Sequence, residues 1–203
     1  MSSRQHLYDL LESHWPAIAD GLAAVWSEGA GVGEVARRLG ADPDSATEVT
    51  LADLSVGFDG ENIPGDYDGI LLVGEFAERG AWTLTLQIQW SDVVEPWALE
   101  SLSRDGGRAV GVSWRGGTGY RIYYAQDGEV MANSSMTMIP AILAAYGEGL
   151  EPEPDWEIPG TQGCPIAQMV TTSLVIIGRV TGEEISAEWL RTPHTRYLIP
   201  GNA

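Results

Sequence analysis

Nine residues, Trp82-Thr83-Leu84-Thr85-Leu86-Gln87-Ile88-Gln89-Trp90, alternate without a break between large apolar and polar side chains. Successive side chains leave a strand on opposite faces, so a period of two describes a β-strand with one apolar face. At the usual rise per residue such a strand is roughly 30 Å long, and the sheet that holds it sets the dimensions of the fold. Residues 70–76 precede it, and Glu78-Arg79-Gly80 reads as the turn of a hairpin between the two. Downstream, Val110, Val112 and Trp114 alternate with Ala109, Gly111 and Ser113. Gly116-Gly117-Thr118-Gly119 then reverses the chain into residues 120–125, and Asp127-Gly128 reverses it again into 129–133. Connections this short join antiparallel neighbours, and the alternation fits a sheet with one covered face.

The flanking segments change period. Leu7, Leu10, Leu11, Trp15, Ile18, Leu22 and Val25 recur at helical spacing, which predicts an amphipathic helix over 4–28, kinked or split at Pro16. Beyond a glycine-rich turn, Val35, Ala36 and Leu39 mark a second short helix, with Gly40 where a C-terminal cap glycine belongs. A polar link containing Asp42-Pro43 follows. Residues 96–104 read as a short helix opened by Pro96, with Trp97, Leu99 and Leu102 as its apolar positions. Residues 165–180 form a longer one, from Pro165 to a stop at Gly182, and a last helix starts at Ser186. Between them 148–163, rich in Glu and Pro, reads as an extended surface linker.

The expected fold is therefore α+β in a single domain over 1–203. An antiparallel sheet of about four to six strands is built from 70–134. N- and C-terminal helices (4–39 and 165–190) cover one face. Trp82, Leu84, Leu86, Val110, Val112 and Trp114 are expected inside, and Thr83 and Thr85 outside.

Charge restricts the chemistry. The chain has 29 Asp and Glu against 11 Arg, no Lys, and a formal charge of −18 over 203 residues. Binding a polyanion requires cationic side chains that release its counterions, so no nucleic-acid partner is expected. Without lysine there is no Schiff base, no phosphate-loop lysine and no lysine base. The single cysteine, Cys164, excludes an internal disulfide and any cysteine-cluster metal site. Residues 1–15 carry Arg4, His6, Asp9 and Glu12 among the leucines, so no secretory leader is expected. The apolar run near 169–177 is broken by Thr171, Thr172 and Ser173 and is too short to span a bilayer. The expected setting is cytoplasmic, without a membrane partner.

No catalytic constellation assembles from the motifs. His6 and His14 are eight residues apart on one predicted helix, about 12 Å along its axis, too far to share a metal ion. His194 is expected in a C-terminal loop. Asp59, Glu61, Asp66 and Asp68 crowd a glycine-containing loop, but the helix-loop-helix calcium pattern fails: Pro64 stands at its glycine position and Ile70 at its bidentate glutamate position. A solvated acidic loop is the preferred reading, with no metal and no cofactor. Ser113 lacks the glycine two residues on that a nucleophile elbow needs, since Arg115 stands there, and it reads as a strand residue. Cys164 falls at a helix start, where the helix dipole lowers a thiol pKa. No base accompanies it, so a packed small hydrophobe is expected.

Several segments resemble, in order, an actinobacterial family catalogued as domain of unknown function 6461. They are Glu34-Val35-Ala36-Arg37-Arg38-Leu39-Gly40-Ala41-Asp42, Gly80-Ala81-Trp82, Leu99-Glu100-Ser101-Leu102-Ser103, Gly107-Arg108-Ala109-Val110, Tyr124-Ala125-Gln126-Asp127-Gly128, and Val180-Thr181-Gly182 leading to Leu190. The set spans most of 13–190. The chain departs at Gly31-Val32-Gly33, where the family would have a Thr-Pro helix start, and in the 148–163 linker. The resemblance implies fold boundaries and a bacterial cytosolic setting, and it brings no established activity.

Two functions of different class remain. In the first the chain is a binding module, immunity- or adaptor-like, that docks a basic protein or peptide. Its binding residues would be Arg115, Arg121 and Tyr123 on a polar sheet face and Asp59, Glu61, Asp66 and Asp68 in the acidic loop. In the second, the chain is an enzyme or biosynthetic accessory protein. A pocket walled by Trp82, Trp90, Trp114 or Trp156 would take a small molecule, with Asp59, Asp66 or Asp68 as base.

Overall fold

The computed structural model describes residues 6–19, 21–56, 65–77, 81–89, 93–115, 119–134, 146 and 166–201. Within them the strands are β1 (Gly21–Glu28), β2 (Asp42–Val49), β3 (Tyr67–Phe76), β4 (Trp82–Gln89), β5 (Arg108–Arg115), β6 (Gly119–Gln126), β7 (Glu129–Ser134) and β8 (His194–Pro200). The helices are α1 (His6–His14), α2 (Val32–Arg38), α3 (Leu51–Val56), α4 (Pro96–Leu102), α5 (Ile166–Thr181) and α6 (Ala187–Arg191), with a single 3-10 turn at Pro16–Ala19.

All eight strands form one antiparallel sheet in the order β2-β8-β3-β4-β1-β5-β6-β7. The α+β class and antiparallel pairing agree with the sequence, but the sheet is larger than the four to six strands expected. The 70–134 window supplies β3 to β7, and β1, β2 and β8 lie outside it.

Both faces of the sheet are covered, not one. On the first face Trp26, Phe76, Trp82, Leu84, Leu86, Val110, Val112 and Trp114 pack under Leu7 and Leu11 of α1, Leu51 of α3, and Leu174 and Ile177 of α5. On the second, Val25, Leu71, Val73, Ala109 and Ala125 pack under Val35 and Ala36 of α2 and Ala98, Leu99 and Leu102 of α4. The six residues expected inside are inside. Thr83 and Thr85, expected outside, are 2% and 0% exposed because they meet this second layer. Thr83 Oγ1 donates to Ala30 O at 2.6 Å, as a buried hydroxyl requires, whereas Thr85 Oγ1 has no hydrogen-bond partner among the described residues.

The double cover explains the largest correction. Residues 21–28 are strand β1, not the second half of a helix. A strand buried on both faces reads as a continuous apolar run, and Leu22, Val25 and Trp26 in such a run match helical spacing by coincidence. The helix itself stops at His14, just short of Pro16, whose ring excludes helical backbone at the residue before it.

The other two unforeseen strands sit on the far side of the sheet. The polar link is β2, an edge strand that tolerates Pro43 because one of its sides makes no ladder bonds. The supposed C-terminal loop is β8, inserted between β2 and β3.

Local signals behave as chemistry requires. Gly40 has φ +76° after α2 and Gly182 φ +86° after α5. Asp127 and Gly128, both at positive φ, form the two-residue turn from β6 to β7. Ser186 caps α6, its Oγ accepting from Trp189 N at 3.1 Å. Arg38 ties the two helices of the second layer: it donates to Glu34 at 2.7 Å, to Asp105 at 2.8 Å and to Ser101 O, near the C-terminus of α4, at 3.1 Å. Glu34, which also accepts from Arg37, is held down to about 2 by these bonds.

Candidate functional site

Of the residues expected to bind, Asp66 and Asp68 stand far from Arg121 and Tyr123 in the sheet. Asp59 and Glu61 lie outside the described residues, as do Trp90, Trp156, Cys164, the turns at 78–80 and 116–118, and the 148–163 linker. Asp66 is exposed in the turn before β3, and Asp68 is exposed on β3 with its carboxylate against Gly201. Arg121 lies on β6, with β4, β1 and β5 between it and Asp68. At the usual strand spacing that is roughly 19 Å.

The polar face proposed around Arg121 and Tyr123 is also corrected. Both belong to the face covered by α2 and α4, where Tyr123 is buried and shares a 2.9 Å hydrogen bond with Ser113 Oγ. Only Arg121 reaches solvent. Arg115 ends β5 opposite Gly119. Ser113 is a strand residue as expected. Of the tryptophan walls of the enzyme alternative, the two among the described residues are core residues: Trp82 and Trp114 are buried, and Trp114 Nε1 donates to Ile18 O at 3.1 Å.

Three polar arrangements were missed by sequence reading. At one end of the central strands, Arg108 of β5 grips Glu28 of β1 with two bonds of 2.7 and 2.8 Å, its guanidinium 5.1 Å from the centre of the Trp82 ring. The arginine bonds hold the Glu28 carboxyl below its ordinary range against the opposing effect of burial. The pair joins neighbouring strands and faces its own ring. At the other side of the sheet, Tyr67 OH donates to Asp42 at 2.7 Å and draws that carboxyl's pKa down.

The third arrangement centres on His194, a buried residue of β8. Its ring stacks on Trp189 of α6 at 4.0 Å between centroids and 26° between planes. Nε2 lies 2.8 Å from Trp189 O. A carbonyl can only accept, so Nε2 carries the proton. Trp189 Nε1 in turn donates to Glu75 O of β3 at 2.8 Å. Beneath the ring lies Gly74, where any side chain would collide with the imidazole. The only advance signal was the spacing of Trp189 and His194 around Pro193.

Burial lowers the His194 pKa, and the bond to Trp189 O opposes this only in part. A histidine depressed in the folded state contributes stability that is complete above its unfolded value of about 6.5 and is lost as pH falls through the folded value. The melting temperature of the protein is therefore expected to drop between about pH 7 and pH 5, and His194→Gln to flatten that limb. Melting curves at a series of pH values check it; a slope unchanged by the substitution would assign the acid lability to other groups.

Among the described residues no group of three or more His, Cys, Asp or Glu is placed to hold a metal ion. No helix among them is long and apolar enough to cross a membrane. What remains outward is charge and two large apolar side chains: Trp97 of α4, 50% exposed, and Met131 of β7, 61% exposed. Trp97 was expected among the apolar positions of its helix; Ala98, Leu99 and Leu102 take the inner side instead. No protein-family model, curated protein or solved structure matches the chain.

Proposed function

We propose that this protein is a binding module, adaptor- or immunity-like, that docks a basic protein or peptide. The observation that supports this reading is the disposition of its charge. Arg37, Arg38, Arg108, Arg179 and Arg191 are hydrogen-bonded within the chain. Carboxylates such as Asp9, Glu12, Glu48, Glu95, Glu100 and Glu129 stand exposed. A surface of this sign steers a cationic partner inward and repels an acidic one, chiefly through the association rate.

The test uses a labelled Gly-Arg octapeptide, flexible and purely cationic, with a Gly-Glu octapeptide as control. Fluorescence anisotropy is expected to detect the first and not the second. Its affinity is expected to fall at least about tenfold as the Debye length shrinks from about 10 Å at 0.1 M salt to about 3 Å at 1 M. Binding of neither peptide, or equal binding of both, overturns the reading.

A further inference from the structure

The sheet has two edges, and they are finished differently. β2 carries Pro43, a register break between Asp42 and Thr47, and the charges of Asp42, Asp44 and Glu48. Proline, bulges and charge are the means by which an edge strand resists pairing with another chain. β7 has no proline, and among the described residues it pairs only with β6. It too has a register break, which leaves one residue without a partner. Ala125 pairs with Val130 and Tyr124 with Ala132, so Met131 is the extra residue, set outside the pairing and exposed.

Helix α4 packs against β5, β6 and β7 and so brings Trp97 to this side of the molecule. Trp97 and Met131 are the large hydrophobic side chains left exposed among the described residues, and both belong to elements of this one edge. Exposed Glu95 and Glu100, at the start of α4 and on it, and Asp127 and Glu129, in the β6–β7 turn and at the start of β7, belong to the same elements; Arg104 near that turn and exposed Arg121 of β6 are the cations there.

The geometry points to the outer edge of β7, with Trp97 and Met131, as a docking site for an extended basic segment of a partner protein. The segment adds as a ninth strand. An edge supplies main-chain hydrogen bonds to any extended chain, and pockets or anchors for alternate side chains supply selectivity. Here the anchors are apolar and their surroundings acidic, which suits a segment alternating aliphatic and cationic residues. Charge argues against a second copy of this chain as occupant. Each copy carries −18, and pairing of two β7 strands would bring their Glu129 residues and the acids of α4 to the same edge. This site rests on the reading of the protein as a module for basic partners and gives that reading a place and a mode.

The experiment compares an Arg-Val octapeptide with the Gly-Arg octapeptide of equal charge. The Arg-Val peptide is expected to bind at least about tenfold more tightly. Trp97→Ala is expected to remove at least about tenfold of its affinity, the scale of an interface anchor, and to leave the Gly-Arg peptide unaffected. Met131→Glu separates the two ideas: it adds negative charge, so attraction by charge alone predicts tighter binding, whereas docking on the apolar edge predicts weaker. N-methylation of alternate peptide residues, tried in both phases, is expected to abolish the advantage in one phase. Both variants change exposed side chains and should keep the wild-type melting temperature. Equal affinity of the two octapeptides, or variants without effect, would overturn the edge site while leaving the charge reading standing. Failure of both peptides to bind would overturn the two together. A concentration-dependent dimer in sedimentation, lost in Met131→Glu, would assign the edge to a second copy and overturn the proposal.

Discussion

Replacing Phe76 by alanine is expected to cost the fold about 3–5 kcal/mol, the range for a buried aromatic truncated in a close-packed core. Phe76 is the middle of a chain of rings. It meets Trp26 of β1 at 6.0 Å and 84°, and Trp189 of α6 at 6.3 Å and 66°, both edge-to-face. Such contacts add about 0.5–1.5 kcal/mol each beyond the area they bury. The alanine variant therefore loses the transfer energy of the ring, both contacts and the packing around the void. Against a typical total stability of about 5–15 kcal/mol, that is a large share. Urea unfolding followed by circular dichroism measures it, with Phe76→Leu expected to recover more than half of the loss. A cost below about 1 kcal/mol would mean that the void collapses and that the aromatic chain does not hold α6 to the sheet.

Gly74→Ala is the complementary experiment, adding one methyl instead of removing a ring. The new Cβ would stand 2.9 Å from Cγ and Cε1 of His194 and closer still to Nδ1. The imidazole has nowhere to retreat, because Trp189 stacks on it and holds Nε2. Overpacking of this kind costs about 1–3 kcal/mol, or roughly 2–4 °C of melting temperature per kcal/mol for a chain of this size. The cause is specific, so the cost should shrink when His194→Ala opens the space first. A double-mutant cycle reads that coupling directly. The same cost in both backgrounds would show that the glycine is needed for some reason other than the ring.

The sequence displayed the parts of the fold that obey a single local rule. Strand β4 was legible because its alternation is strict, and the turn at Asp127-Gly128 because few residues accept positive φ at both positions. The starts and stops at Pro96, Gly40, Gly182 and Ser186 were legible for the same kind of reason. What failed was tertiary. Leu22-Ala23-Ala24-Val25-Trp26 carries no alternation because helices lie on both sides of it, and a continuous apolar run does not reveal its own secondary structure. β2 and β8 are mostly polar or short, and only the pairing of β8 with β3, and of β2 with β8, makes them strands. The polar face drawn from Arg121 and Tyr123 failed for a related reason. Arg121 and Tyr123 share a face in the sequence pattern, but the helix that covers that face is encoded elsewhere, at 96–102. Trp97 and Met131 carry no signal beyond hydrophobicity, which sequence reading assigns to the core.

The order of strands also governs how the chain is made. β8 lies between β2 and β3, so residues 42–49 and 67–76 leave the ribosome long before the strand that separates them in the sheet. Until residues 194–200 emerge, one side of β3, with Leu71, Leu72 and Val73, is an unpaired apolar edge in a growing polypeptide. Exposed strand edges are where nascent chains associate with one another. Neighbouring chains on a polysome carry the same net negative charge, and their mutual repulsion opposes that association while the sheet is unfinished.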